Sequence, residues 1–339
     1  MNQYFYKLPK ELIAQKPVEP RDSARLFVYN TKTNEVHFDI FKNCSKYIPE
    51  KSTLVINTTK VVPARVYMQK ETGGKIEVLF LINEYEGGDS IKCIVDRKLN
   101  VGQKLFFPNR FMCLVSQQEN QLFTLQLFFE NTLLIPTLEQ FGITPIPKYI
   151  TENKLEEENL RSRYQSIFAK TPASIAAPTA SLHFTDAVFS SLFEKGVKTA
   201  DITLHVGMGT FAPVREEQLE SGTLHKEWYT IPDETKKILD RSDQGYIIPV
   251  GTTAMRAIES YTKTQMQNGA TNLFIKKPFE FKVASGLVTN FHVPESSLMY
   301  LVDAFLTHKR AEKSILDLYK IAIEERFRFY SFGDAMLIL

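Results

Sequence analysis

Residues 176–214, AAPTASLHFTDAVFSSLFEKGVKTADITLHVGMGTFAPV, decide the fold of this chain. Thr185 is a helix-capping residue placed before an apolar helix face, and Gly196 stands where a glycine commonly ends a helix. The residues of that face are Val188, Phe189, Leu192 and Phe193. Residues 201–206 then alternate between polar and apolar side chains, as in a strand with one buried face. A helix that leads directly into a strand predicts an α/β fold.

Polar side chains cluster where these predicted elements end. They are Thr179, Ser181 and His183 before the helix, and His205 and Thr210 around the glycines Gly207 and Gly209 after the strand. In α/β proteins, ligands bind at loops beyond the carboxyl ends of strands. Packing alone does not require two histidines and three hydroxyl groups at such positions. We therefore predict the active site here.

The composition is that of a globular protein with a core. The chain has 339 residues, 43% of them hydrophobic and 12% aromatic, which suits two domains or one domain with a large insertion. Its 41 basic residues nearly balance its 39 acidic ones. Net charge therefore gives no argument for a nucleic-acid partner, although a local basic face is compatible with such a total.

The cysteines and the apolar runs bear on the cellular compartment. Cys44, Cys93 and Cys113 are odd in number and widely spaced, which fits neither a disulfide framework nor a zinc or iron–sulfur site. The N-terminal segment lacks the basic and then apolar build of a signal peptide. No apolar run approaches the roughly 20 residues of a membrane span. These features predict a cytoplasmic protein with no membrane partner.

A change in the predicted secondary structure indicates an insertion. Residues 66–149 contain short β-rich segments separated by turns and no convincing helix, a pattern typical of a small barrel or sandwich. Helices and strands alternate on both sides of it. We therefore predict an α/β domain, a mixed sheet with flanking helices, formed by residues 1–65 and 150–339. Residues 66–149 are predicted to form an inserted all-β, barrel-like domain.

Two further predicted strands end in polar turns. Gly251, Thr252 and Thr253 lead into a helix, where free backbone N–H groups can bind an anion; capping by the two threonines explains the turn equally well. The other turn contains Asn290 and His292.

Histidines at such turns have a possible catalytic use. A parallel sheet would bring His183, His205 and His292 to one edge, where a histidine can move protons near neutral pH. Taken singly, each is more often a structural residue. Their spacings match no zinc motif and no cysteine joins them, so we expect no metal.

Residues 207–212 form a weak dinucleotide-binding motif. They fit G-x-G-x-x-G/A after a strand, but Pro213 follows at once. The long helix and second strand with an acidic residue that the motif requires do not follow. The sequence thus argues against a nicotinamide cofactor.

A series of sequence blocks runs almost from one end of the chain to the other. They are LPKELIAQKPVEPRDSARL (8–26), NTTKVVPAR (57–65), KETGGKIEVL (70–79), PIPKYI (145–150), RYQSIFA (163–169), AAPTASLHFT (176–185), TLHVGMGTFAPV (203–214), HKEWY (225–229), GTTAMRAIES (251–260), TNFHVPESSL (289–298) and FRFYSFGDAMLI (327–338). In this order they resemble the S-adenosylmethionine:tRNA ribosyltransferase-isomerase family of queuosine biosynthesis. Several ordered blocks are far more specific than any single motif.

The chain departs from the family pattern at four positions that we note. The family usually has glycine at Ser181, and more often has asparagine at Thr58, a second proline at Lys148 and leucine at Val293. Ser181 matters most, because a side chain replaces glycine near the ligand and restricts the backbone. No departure removes a histidine or a main arginine, so we expect activity to be retained.

The resemblance implies a reaction. The ribosyl part of S-adenosylmethionine, the co-substrate, is transferred and isomerised onto 7-aminomethyl-7-deazaguanine at the wobble position of tRNA. Epoxyqueuosine-tRNA forms, and adenine and methionine are released. The alternatives are a non-catalytic tRNA-binding protein on the same scaffold, or another S-adenosylmethionine-dependent enzyme. We expect the protein to act as a monomer on the anticodon arm.

The resemblance also suggests roles for particular residues. Removal of a proton beside the sulfonium and departure of adenine are tasks for His183, His205 and His292. The substrate-binding candidates are Thr179, Ser181, Phe184, Gly207, Gly209, Thr210, Phe211, Thr252, Thr253, Arg256, Asn290 and Phe291. Among them, Thr252, Thr253 and Arg256 are candidates for the methionine carboxylate or a tRNA phosphate, and the phenylalanines for stacking on the flipped base. Candidates for tRNA backbone contact are Arg21, Arg25, Arg65 and Arg163.

Overall fold

The computed structural model describes residues 3–152, 154–207, 209, 213–241 and 245–339. Their strands are β1 (Arg25–Asn30), β2 (Glu35–Ile40), β3 (Thr53–Asn57), β4 (Thr59–Val61), β5 (Arg65–Lys70), β6 (Lys75–Phe80), β7 (Ser90–Val95), β8 (Lys104–Phe106), β9 (Met112–Glu119), β10 (Leu122–Leu127), β11 (Thr171–Ser174), β12 (Lys198–Leu204), β13 (Thr223–Thr230), β14 (Ile247–Val250), β15 (Asn268–Leu273), β16 (Leu287–Asn290) and β17 (Ala335–Ile338). Their α-helices are α1 (Leu134–Phe141), α2 (Glu157–Arg163), α3 (Asp186–Glu194), α4 (Glu216–Ser221), α5 (Asp233–Leu239), α6 (Thr252–Thr264), α7 (Ser297–His308) and α8 (Ile315–Glu324).

A mixed sheet is the centre of the larger part. In the described chain it has nine strands in the order β15-β13-β12-β3-β14-β16-β17-β1-β2. Neighbours from β12 to β16 are parallel, and antiparallel pairs lie towards both edges. Strand β3 is buried along its whole length, as expected where helices cover both faces of a sheet. The predicted mixed α/β sheet is confirmed.

The two faces of the sheet have separate cores. Leu54 and Ile56 of β3 pack on one side with Val188 and Leu192 of α3. Val55, which points the other way, packs in the cluster that contains the buried faces of α6, α7 and α8. The alternation of side chains along a strand thus places α3 and α6 on opposite faces.

The opening stretch folds as its pattern predicts. Thr185 caps α3, since its Oγ1 accepts a hydrogen bond from the backbone N–H of Val188 at 3.3 Å. The same hydroxyl donates to Asp22 at 2.8 Å and so ties α3 to the N-terminal segment. Gly196 follows the helix with a φ of 77°, a left-handed conformation that glycine adopts without strain.

The inserted β-rich region closes into a barrel. Within the described chain its six strands follow the order β10-β7-β6-β5-β8-β9, each antiparallel to its neighbours, around a core of its own. The expectation of no helix there is wrong: α1 buries Leu134 and Leu138 in the barrel core. Pro136 obscures this helix in the sequence, although a proline in the first turn removes no intrahelical hydrogen bond. The exact domain limits, 66 and 149, stay a prediction.

The strand near the C-terminus lies inside the sheet, between β16 and β1. β17 runs antiparallel to β16 and parallel to β1. The backbone N–H and the hydroxyl of Thr31 both donate to the carbonyl of Leu339, at 2.8 and 2.6 Å. The sheet therefore joins chain segments from opposite ends. No helix of the described ranges combines the length and apolarity that a bilayer crossing requires.

Candidate active site

A narrow cavity of about 30 Å³ lies at the carboxyl ends of β14 and β16. These strands are parallel neighbours, so the turns that follow them meet at one edge of the sheet. The polar residues that line the cavity are Thr179, Thr252, Thr253, Thr289, Asn290, His292, Tyr149, Tyr330 and Ser331. The space holds about two waters, so a ligand of larger size must widen it.

Asn290 links the 3₁₀-helix Thr179–His183 to the end of β16. Its Oδ1 accepts a hydrogen bond from Thr179 at 3.0 Å, and its Nδ2 lies 3.2 Å from Nε2 of His183. Because an amide nitrogen only donates, this contact fits a neutral His183 with its proton on Nδ1. The predicted residues Thr179, His183 and Asn290 are therefore brought together.

Burial keeps His183 neutral. Desolvation lowers its pKa to about 4; Asp334 opposes this effect, while Arg328 and Arg21 add to it. At neutral pH the imidazole is therefore a free base that can accept a proton.

His292 lies on the other side of Asn290 and is held firmly. Its Nε2 is 2.8 Å from the hydroxyl of Thr289, and its backbone N–H donates to the Tyr319 hydroxyl at 2.7 Å. Tyr6 donates to its carbonyl oxygen. Burial lowers its pKa to about 3. The cavity thus has two neutral histidines within or beside its wall.

His205 lies at the same edge of the sheet but does not line this cavity. Its Nδ1 is 2.9 Å from Oγ1 of Thr59, which in turn lies 2.7 Å from Oγ of Ser174. The backbone N–H of Val206, which does line the cavity, donates to the same Ser174 oxygen. Partial burial lowers the pKa of His205. The structure therefore groups two of the three predicted histidines and leaves His205 beside the group.

The N-terminus of α6 opens onto the cavity. Gly251 is its cap residue, with a φ of 93°, and Thr252 and Thr253 are the first residues of the helix. The alternative that the threonines cap the helix fails, because no side chain makes a capping hydrogen bond there. Asn57 donates to Thr253 Oγ1 at 3.3 Å, which ties this helix to β3. Free backbone N–H groups and the positive end of the helix dipole favour an anion here.

Arg256 lies one turn into α6 and is used differently from the prediction. It forms a buried ion pair with Glu227 and donates to the carbonyl of Leu273 at 3.3 Å. Glu227 also accepts from the backbone N–H of Gly207 at 3.0 Å. Arg256 therefore supports the helix and the turn after β12, and it is not part of the cavity wall.

Other predicted substrate residues lie apart from the cavity. Gly207 and Gly209 line a separate space of about 530 Å³ against the barrel. Ser181 is buried, and its Oγ has no hydrogen-bond partner among the described residues. Thr210 and Phe211 lie outside the described residues.

The two remaining phenylalanines are both buried. Phe184 packs edge-on against Phe41 in the sheet core, with ring centroids 4.9 Å apart, which leaves no face for a base. Phe291 also belongs to a core cluster but reaches the cavity wall. Burial follows from tertiary packing, which a lone phenylalanine in a sequence does not reveal.

Two predicted arginines flank His183. Arg21 donates to the carbonyls of Gln165 and Ser162, at 2.6 and 2.9 Å, rather than pairing with neighbouring Asp22. Arg163 pairs with Glu19. Both arginines line a small cavity that His183 also borders.

The other two arginines lie elsewhere. Arg25 donates to the carbonyl of Glu325 at 2.6 Å and covers the ring of Phe327 at 3.9 Å. Arg65 pairs with Glu77 at 3.0 Å and faces a cavity between the barrel and the segments 145–149 and 175–176. The four arginines therefore do not form one patch.

Sequence reasoning missed Tyr149, Tyr330 and Ser331. Tyr149 donates to or accepts from Ser331 at 2.6 Å, and its ring lies 4.9 Å from that of Tyr330. Tyr330 has a φ of 72°, which is uncommon for a residue with a side chain. Tyr330 and Ser331 precede β17, and they reach this edge because β17 runs antiparallel to β16, which no local pattern in the sequence reveals.

The fold and the cavity define an α/β protein that can bind an anionic small molecule at a helix N-terminus beside neutral, proton-accepting histidines. In the described ranges, no group of three or more His, Cys, Asp or Glu side chains is placed to hold a metal ion. The sequence model of the family described as queuosine biosynthesis protein matches residues 1–338. The chain belongs to this family, which confirms the resemblance.

Named relatives match over the full length. Proteins called S-adenosylmethionine:tRNA ribosyltransferase-isomerase are 40% identical in Caldanaerobacter subterraneus and 42% identical in Thermotoga maritima, each with 100% of this chain and 99% of the relative covered. The crystal structure of S-adenosylmethionine tRNA ribosyltransferase from Thermotoga maritima has a TM-score of 0.55 and 34% identity, covering 99% of both chains.

Proposed function

We propose that this protein is an S-adenosylmethionine:tRNA ribosyltransferase-isomerase. It transfers and isomerises the ribosyl moiety of S-adenosylmethionine onto 7-aminomethyl-7-deazaguanine at the tRNA wobble position. The products are epoxyqueuosine-tRNA, adenine and methionine. The observation that carries the proposal is the full-length match, at about 40% identity, to relatives that bear this name.

The histidines supply the proton transfers. A carbon beside the sulfonium must lose a proton, and the departing adenine is assisted by gaining one. His183 and His292 are neutral at pH 7 because burial lowers their pKa values, so both start as bases. After one has accepted the proton, it is an acid that can return it. His205, linked through Thr59 to Ser174, is the third candidate.

The N-terminus of α6 binds the carboxylate of the methionyl group. Its backbone N–H groups at Thr252 and Thr253 face the cavity, and the described residues of the cavity wall include no carboxylate that would repel an anion. Arg256 stabilises the helix through its ion pair with Glu227 and does not line the cavity.

The tRNA approaches along Arg21 and Arg163, which lie beside His183, with Arg25 as a further backbone contact, whereas Arg65 is paired with Glu77 beside another cavity. The wobble base must leave the anticodon stack to reach a buried site. Among the predicted phenylalanines that the structure describes, Phe291 reaches the wall of the histidine cavity, where it can contact the part of the modified base that enters it.

The test is a single-turnover assay with S-adenosylmethionine and an anticodon stem-loop that carries 7-aminomethyl-7-deazaguanine. We expect release of adenine and methionine, and loss of most of this activity in His183→Ala and His292→Ala. His37→Ala, at an exposed histidine on β2, is the matched control.

Other products would contradict the proposal. S-adenosylhomocysteine would identify a methyltransferase, and stem-loop binding without adenine release would identify a non-catalytic binding protein. Full activity in His183→Ala, His205→Ala and His292→Ala would remove the histidine mechanism while leaving the overall reaction intact.

A further inference from the structure

Another cavity lies between the barrel and the segments 145–149 and 175–176, and it is larger than the one beside the histidines. Its volume is about 290 Å³, against about 30 Å³ for the other. That size is at the lower end of the range for small-molecule pockets. We propose that this cavity binds the wobble base of the acceptor tRNA, and that Glu77 and Asp96 of the barrel hold its Watson–Crick edge. The inference rests on the proposed function and gives the inserted barrel a role.

The walls suit a flat, largely apolar ring. Most of the lining is aliphatic, and it comes from both parts of the molecule. The apolar lining residues are Leu79, Ile94, Val95, Pro145, Ile146, Pro147, Ile175 and Ala176. A base that leaves the anticodon stack loses its neighbours, and an apolar slot replaces those contacts.

Three of the four charged lining residues, Arg65, Glu77 and Asp96, are linked to one another, and the fourth is Lys148. Glu77 lies on β6 and Asp96 directly after β7; the backbone N–H of Glu77 donates to Asp96 Oδ1 at 2.8 Å. Arg65 Nη1 pairs with Glu77 Oε1 at 3.0 Å, and the two side chains are only 20% and 25% exposed. The Nε of Arg65 is buried without a hydrogen-bond partner in the described part of the chain.

This set complements a guanine-type edge. Such an edge has two donors, N1–H and the exocyclic N2 amine, beside one acceptor, O6. Glu77 and Asp96 are acceptors and Arg65 is a donor. Tyr67 also hydrogen-bonds Glu77, yet a carboxylate has about four acceptor positions, so capacity for ring donors remains. Arg65 and Lys148 balance the two carboxylates in the lining, so the slot offers an anionic methionyl group no net positive charge, unlike the N-terminus of α6.

The two cavities are adjacent, as a reaction between groups bound in each of them requires. Tyr149 lines both, and Ala176 of one is followed by Ala177 of the other. On a deazaguanine ring, the substituent at position 7 lies on the Hoogsteen edge, beside O6 and next to the Watson–Crick edge. A base held at N1–H and N2 by Glu77 and Asp96 therefore leaves its aminomethyl group free to extend past Tyr149 into the histidine cavity.

The experiment separates recognition of the base from binding of S-adenosylmethionine. In Glu77→Gln and Asp96→Asn, we expect KM for the 7-aminomethyl-7-deazaguanine stem-loop to rise by about tenfold or more, with KM for S-adenosylmethionine unchanged. Asp96→Asn keeps an oxygen for the Glu77 backbone N–H, so it tests the site even if Glu77→Gln fails to fold. Glu71→Gln, on an exposed pair with Lys104, is the control.

A binding measurement isolates the Watson–Crick edge. Stem-loops with guanine or hypoxanthine at the wobble position differ by the N2 amine alone. We expect the wild-type protein to bind guanine about tenfold more tightly, since a site built for a donor rejects the analogue that lacks it. Glu77→Gln and Asp96→Asn should lose this preference, and Glu71→Gln should keep it.

Failure of the inference is distinguishable from failure of the proposed function. If the wild-type protein releases adenine while both variants keep their KM values and the guanine preference, the base is not held here. If the wild-type protein releases no adenine, the proposed function fails, and the guanine preference still reports on the cavity.

Discussion

His292 couples folding stability to pH, because its ring is buried in the neutral form. Its pKa is about 3 in the folded protein against an ordinary value of 6.5, so between these values the unfolded chain binds more protons. The free energy of unfolding therefore falls as the pH drops through 6.5. Between pH 7 and pH 5 this histidine should account for a loss of about 2 kcal/mol.

The measurement is urea unfolding at both pH values. His292→Gln should lose about 2 kcal/mol less than the wild-type protein on acidification. His183 titrates in the same direction in both proteins, so its contribution to the loss of stability cancels in the comparison. His37→Gln, where the side chain is 51% exposed, should behave as wild type. Equal losses in His292→Gln and wild type would show that His292 does not cause the dependence.

The positions of His183 and His292 were predictable from sequence, but their protonation state was not. Each stands in a polar turn at the end of a predicted element, which is local information. Their protonation depends on burial by distant segments: Tyr319 and Tyr6 enclose His292, and Arg328 and Asp334 lie near His183. The same reason explains Phe184, whose neighbour Phe41 is far away in the chain.

The start of α6 depends on the backbone of Gly251. Its φ of 93° costs a residue with a side chain about 1–2 kcal/mol, and an added Cβ would contact Ala180 at 3.7 Å. Gly251→Ala should lower the free energy of unfolding by about 1–2 kcal/mol. Because relief of this strain moves the first N–H groups of the helix, we also expect a severalfold higher KM for S-adenosylmethionine.

Gly102→Ala separates the two effects. Gly102 lies in the barrel with a φ of 87° and open space around it. The Gly102→Ala variant should lose a comparable free energy of unfolding in urea and keep the wild-type KM for S-adenosylmethionine. A Gly251→Ala enzyme with unchanged KM would show that the N-terminus of α6 does not bind the co-substrate.

Helices and strands with a clear local sequence pattern were predictable. Those whose formation or position depends on packing against distant segments were not. The alternating strands of the barrel and the capped helix α3 follow from short stretches of sequence. Helix α1 did not, because Pro136 masks a short segment with few buried side chains. The place of β17 between β16 and β1 depends on segments from opposite ends of the chain, and no local pattern encodes it.

The charge of the whole molecule predicts a particular salt dependence. The net charge is only +2, so RNA affinity must come from local arginines. Arg163→Ala should weaken stem-loop binding and reduce the slope of log K against log salt by about 1. Fluorescence anisotropy across a salt series measures this slope.

The control for the salt series is an arginine away from the sites. Arg241→Ala removes an exposed charge near α5 and should leave the slope within error of wild type. An unchanged slope in Arg163→Ala would mean that its ion pair with Glu19 persists in the complex and that the guanidinium does not meet a phosphate.

The position of β17 sets the order of events on the ribosome. Thr31 can form its hydrogen bond only after Leu339, 308 residues further along the chain, has been synthesised. At a synthesis rate of about 5–20 residues per second, that delay is roughly 15–60 s. Strands β1 and β2 can form their hairpin early, but the edge of β1 that later receives β17 stays unpaired until residues 335–338 have been synthesised. The nascent chain therefore carries an open apolar strand edge, the kind of surface that chaperones bind, until β17 has been synthesised.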